Sequence, residues 1–160
     1  SVKGIDILIE AWEGLGALRK DWTLTLVGNG SLKAYYENIP EVKVLDFLQP
    51  RELVKLIESS GCFILPSRFE PWGVVVHEFA AAGLPLILSD AVGASDIFLV
   101  NGVNGFIFQS KNAQSLKSVL LNIIESSDDT LLSMSELSTH FANRITPTTS
   151  AQNLLSLCQK

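Results

Sequence analysis

The chain has 160 residues, 47% hydrophobic and 18% charged, the size of one domain that folds around one core and buries roughly two-thirds of its unfolded surface. A net charge of -5 at pH 7 argues against duplex nucleic acid as the main partner, because that affinity comes largely from Lys and Arg neutralising phosphates. Cys62 and Cys158, with no Cys-x-x-Cys pair and no histidine cluster, suggest neither a disulfide framework nor a zinc site and suit a reducing compartment. No apolar run reaches the roughly 20 residues that span a bilayer.

In chain order, GIDILIEAWEGLG (4 to 16) carries apolar residues at helical spacing, with Gly14 and Gly16 placed to stop the helix. WTLTLVG (22 to 28) alternates as a strand does and ends in Gly28-Asn29-Gly30. A short helix is expected from Ser31, then VKVLDFL (42 to 48) as strand and RELVKLIESSG (51 to 61) as helix. CFILPS (62 to 67) is short and apolar throughout, the signature of a strand buried on both faces. LPLILSD (84 to 90) is a further strand, followed by a turn and short helix near Gly93 to Val100, a strand at NGFIF (104 to 108) and a helix from Asn112 to Glu125. Two more helices are expected from Asp128 to Lys160, with Thr146-Pro147 as cap and first turn of the last. Alternating strands and helices with short connections imply an α/β fold, a Rossmann-like, doubly wound parallel sheet with helices on both faces.

The stretch SRFEPWGVVVHEFAAAGLPLILSD (67 to 90) sets Glu70 and Glu78 in apolar surroundings, and a buried carboxylate needs partners or a shifted pKa. Its Val run favours a strand, but Glu78 to Ala82, the C-capping Gly83 and the need for a crossover between parallel strands favour a helix over Gly73 to Ala82. Ligands of such sheets bind beyond the carboxyl ends of the strands. The loop PSRFEPWG lies there, so the backbone N–H groups of Gly73, Val74 and Val75 are placed to face an anion, with the helix dipole adding to the attraction.

These residues, followed by GASDIFLVNGVNGFIF, resemble the C-terminal, donor-binding half of retaining, nucleotide-sugar-dependent glycosyltransferases of the GT-B architecture, group 1 (family 4) type. The mark of that family is two glutamates separated by seven residues, here Glu70 and Glu78. Lys3-Gly4 with Asp6, the LVGNG loop, Pro66-Ser67 and Asn104-Gly105 match in the same order. The resemblance implies that Glu78 accepts hydrogen bonds from the donor ribose and Glu70 contacts the transferred sugar. It further implies that the backbone around Pro71, Trp72, Gly73, Val74 and Val75 holds sugar hydroxyls and diphosphate, that Lys3 neutralises the diphosphate, and that Gly28 and Gly30 allow close approach of the donor. On this reading Glu78 is tolerated on a mostly buried helix because a diol satisfies it. A helix N-terminus with a lysine replaces a metal ion, so no cofactor is expected, and there is no Asp-x-Asp motif.

Three departures stand out. The family's first strand, ending in Gly-Arg, and the N-terminal acceptor domain have no counterpart in these residues, which implies part of a larger chain. Asp96 replaces a frequent Glu, and Asp46 a frequent Gly near the base-binding loop, leaving the base open. The expected partners are a UDP-sugar or GDP-sugar, and a glycan or lipid acceptor held by the other half. The expected location is cytoplasmic, with a peripheral seat at the inner face of the plasma membrane through that half.

Simpler roles exist for the same residues: a loop acid at Glu70, a structurally paired acid at Glu78, a solvated Lys3, turn glycines at 28 and 30, packing for Trp72, and a satisfied helix histidine at His77. A glycoside hydrolase using both glutamates needs carboxyl groups roughly 5 Å apart, whereas Glu70 precedes the helix and Glu78 sits around 8 Å along it at ~1.5 Å per residue. A non-catalytic nucleotide-sugar sensor or subunit is the second alternative.

Overall fold

The computed structural model describes residues 2–158. The elements are α1 (Ile5–Leu15) with a 3-10 turn (Gly16–Arg19), β1 (Leu24–Val27), α2 (Lys33–Tyr36), β2 (Val42–Leu45), α3 (Pro50–Glu58), β3 (Phe63–Leu65), α4 (Val74–Ala81), β4 (Leu86–Ser89), α5 (Ser95–Phe98), β5 (Gly105–Phe108), α6 (Ala113–Glu125), α7 (Asp128–Ala142) and α8 (Pro147–Cys158). Each expected element is present within a few residues. The expected tail beyond residue 158 and the side chain of Cys158 lie outside the described residues.

Local chemistry explains the boundaries. Gly14 does not stop α1, which runs through it to Gly16. A capping box opens α3, with the Glu52 carboxylate accepting from the Gln49 N–H at 2.9 Å. Asn112 caps α6 by accepting from the Ser115 N–H, and Thr146 accepts from the Thr149 N–H at the start of α8.

Every strand pair is parallel: β1 with β2 (Leu24 opposite Val42), β3 with β4 (Phe63 opposite Leu86) and β4 with β5 (Leu86 opposite Gly105). Helices cover both faces. On one, α1 and α6 bury Ile7, Leu8, Trp12, Leu116 and Leu120 against Leu24, Ile64, Ile87 and Phe108. On the other, Val76 and Ala80 of α4 and Phe98 of α5 pack on Leu86 and Leu88, with Phe63, Leu65 and Ile107 at the margin. The alternation along β4, Leu86 and Leu88 to one side and Ile87 to the other, is the strand period realised in packing.

The hydrogen-bond ladder is interrupted between β1 and β3, giving strand orders β1-β2 and β3-β4-β5 in place of one continuous sheet. The Phe63 N–H donates to Pro85 O toward β4, so the Ile64 N–H and C=O point to the opposite edge. The Leu24 and Gly28 N–H groups donate to Glu41 O and Leu45 O toward β2, leaving those of Thr25 and Val27 on the outer edge. This corrects the expectation that CFILPS is buried on both faces: Phe63, Ile64 and Leu65 are only partly buried, whereas all four residues of β4 are buried. A strand with one neighbour is covered from one side only.

Candidate functional site

The site is built from the segments that leave the carboxyl ends of β1, β2, β3 and β4. Gly4, at φ +67, brings the start of α1 against the end of β3, and a Cβ there would stand 1.9 Å from the Pro66 carbonyl oxygen, so only glycine fits. The Arg68 N–H donates to Val2 O at 2.8 Å. Lys3 is thereby held at the rim of the loop that carries Glu70.

Glu70 is clamped through its backbone: its N–H donates to Ala91 O (3.0 Å) and its C=O accepts from the Gly93 N–H (2.9 Å). Two residues on, Trp72 O accepts from the Ala94 N–H at 2.9 Å. The Glu70 side chain is 18% exposed and its Oε2 lies 2.6 Å from Nζ of Lys3, which is 61% exposed. Beside it, Asp6 of α1 pairs with Arg68. Partial burial pushes the Asp6 carboxyl up, but hydrogen bonds from Arg68 and the helix backbone, together with the guanidinium charge, hold it below its ordinary value.

Gly73 caps α4 at φ +91, and a Cβ on it would lie 3.2 Å from Glu70 Cγ, so the acid sits over the N-terminus of α4. The N–H groups of Gly73, Val74 and Val75 have no acceptor among the described residues. Trp72 is 45% exposed and meets Phe98 edge-on at 6.4 Å. His77 stacks on the other side of this cluster, 4.6 Å from Phe98 at 11°, with Nε2 3.1 Å from Ala142 O; it is the satisfied histidine.

Glu78 is exposed and has no partner among the described residues. The expectation of a carboxylate on a mostly buried helix is corrected: α4 buries Val76 and Ala80 and leaves Glu78 exposed.

No hydrogen bond or ion pair joins the loop after β1 to Glu70 among the described residues. Gly28 has φ +126, and a Cβ at Gly28 or Gly30 would meet nothing within 4 Å, so the backbone there is open to approach. Asp46 accepts from Lys33 Nζ at 2.7 Å, tying the start of α2 to the segment after β2; that hydrogen bond raises the Lys33 pKa. Asp96 is exposed in the first turn of α5. The geometry thus joins Lys3, Glu70, Pro71, Trp72, Gly73, Val74 and Val75 in one place, with Glu78 along the same helix. Two contacts had no signal in the sequence, because the partners are 67 and 62 residues apart: Lys3 with Glu70, and Asp6 with Arg68. No cluster of three or more His, Cys, Asp or Glu side chains suited to a metal ion occurs among the described residues.

Lys3, Glu70 and the start of α4 thus meet beyond the strand ends of a parallel α/β sheet, the place where ligands of such sheets bind. The sequence profile of the family described as "Glycosyl transferases group 1" matches residues 1–143, and the chain belongs to this family. An uncharacterized glycosyltransferase of Methanocaldococcus jannaschii is 32% identical over 121 residues, covering 71% of the chain and 30% of that protein. The D-inositol 3-phosphate glycosyltransferase of Corynebacterium aurimucosum is 29% identical over 165 residues, covering 95% of the chain and 39% of that protein. The crystal structure of Anabaena Alr3699/HepE in complex with UDP and glucose superposes with a TM-score of 0.79 at 23% identity, over 99% of this chain and 46% of that one. The chain spans about a third of the length of these curated relatives, and it corresponds to the C-terminal half of a GT-B fold. No described helix is long and apolar enough to cross a membrane.

Proposed function

We propose that this domain binds a nucleoside-diphosphate sugar and, within a larger enzyme, serves its transfer with retention to a glycan or lipid acceptor. The observation that carries the reading is the convergence of Lys3, Glu70 and the unclaimed N–H groups of Gly73 to Val75 at one strand end. The diphosphate belongs at those N–H groups and at Lys3, which oppose the charge that builds on it as the glycosidic bond breaks. No metal ion is invoked. The hexose faces Glu70 and the Pro71-Trp72 backbone, the ribose diol faces Glu78, and the base lies toward Gly28 and Gly30.

In this reading a first strand and an N-terminal acceptor domain complete the enzyme, on the cytoplasmic side. The acceptor must be held in line with the anomeric carbon, so the 160-residue chain alone is expected to transfer no sugar. A thermal-shift panel of UDP, GDP and ADP, each with its sugar conjugates, tests the binding step. A ligand at 100 times its dissociation constant stabilises by about 2.7 kcal/mol; a flat response to every member would defeat the proposal.

A further inference from the structure

We infer that Glu70 is a placeholder anion, holding Lys3 while the site is empty and giving it up to the donor's diphosphate as a sugar hydroxyl takes its place on the carboxylate. This deepens the proposal above and rests on it. Glu70 has little freedom to leave, because its backbone is bonded on both sides to the segment 91–93 and its side chain lies against Gly73 at the start of α4. Its side chain therefore stands beside the start of α4, which a diphosphate would approach, and at 18% exposure water screens it poorly. Lys3, 61% exposed on a flexible stem, is the member of the pair that can move.

Glu70 and a diphosphate together bring more negative charge to one helix N-terminus than one ammonium neutralises. A bare nucleoside diphosphate must draw Lys3 away and leave Glu70 without that partner, next to its own charge. An intact donor does the same but returns a hydroxyl donor to the carboxylate. One residue thus opposes the product of transfer and favours the substrate, which assists release of the spent nucleotide.

The sign of one substitution separates this from a glutamate that only binds sugar. By calorimetric titration of the 160-residue chain, Glu70→Gln is expected to bind UDP about two- to fivefold more tightly, the range of an exposed ion pair. Its preference for UDP-glucose over UDP should narrow about five- to tenfold, the difference between a charged and a neutral hydrogen bond. Lys3→Met, at an exposed position, should cost more UDP affinity in the Glu70→Gln background than in the unaltered chain, by the share of the Glu70→Gln gain that comes from releasing Lys3. Unchanged or weaker UDP binding by Glu70→Gln, strictly additive effects, or an unchanged preference would overturn the inference while the nucleotide-sugar reading stands. If the unaltered chain binds neither UDP nor UDP-glucose, nor the GDP and ADP pairs, both fall together.

Discussion

Glu78 and Glu70 share one sequence mark and have opposite surroundings. Because Glu78 is exposed and unpartnered among the described residues, Glu78→Ala should leave folding stability within about 0.5 kcal/mol. It should weaken UDP and UDP-glucose alike by about tenfold, the low end for a hydrogen bond to a charged group. Calorimetry with both ligands checks it, and a loss confined to the sugar conjugate would move Glu78 from ribose to hexose. Cys62 gives a test of the core that needs no ligand. It packs against the α1 and α6 cluster, and burial pushes its thiol up to about 12. A folded pKa above the unfolded one means a stabilisation fully present below the unfolded value and lost as pH rises toward the folded value. Stability to urea should therefore fall by about 1.5–2 kcal/mol between pH 8 and 10, and Cys62→Ala should flatten that slope. Equal slopes in the two proteins would mean that the thiol is not enclosed.

At the scale of elements, strands and helices were legible wherever the local pattern agreed with its packing. The four residues of β4 read as a strand and are one, buried throughout. Val74-Val75-Val76 favours a strand locally, but Glu78 to Ala82, the C-capping Gly83 and the parallel crossover decide for α4, and the positive φ at Gly73 shows the backbone device that turns the chain into it. The partial burial of β3 was not legible, because an apolar run states what a strand needs and not whether a neighbour supplies it. Ordered motifs name the candidate residues, but their pairing in space is not legible from them. Lys3 and Glu70 meet only because Gly4 seats α1 on Pro66 and the 91–93 segment clamps Glu70. The outward turn of Glu78 likewise depends on which face of α4 meets the sheet, and its weakly segregated sequence does not declare that face.

For the whole molecule, the ladder broken between β1 and β3 is the feature with the widest consequence. The two strands feed one core under α1, Trp22 lies against Gly61 just before them, and beyond β3 the Arg68 N–H already bonds to Val2 O. A strand running into Val2, parallel to both, would meet the outward groups of Thr25 and Val27 on one side and of Ile64 on the other. That is where the proposed first strand belongs. Unpaired strand edges exchange their amide hydrogens through small fluctuations, whereas laddered amides wait for larger openings. In the 160-residue chain, the amides of Thr25, Val27 and Ile64 should exchange much faster than those of Leu24, Gly28 and Phe63, an alternation within single strands. In a longer chain that carries the first strand, the same three amides should become as protected as their neighbours, with a rise in the unfolding midpoint of about 2–4 °C for each kcal/mol gained. Hydrogen exchange read by NMR resolves individual amides; equal protection along β1 and β3 in the 160-residue chain would show that the edges are already paired and that no strand is awaited there.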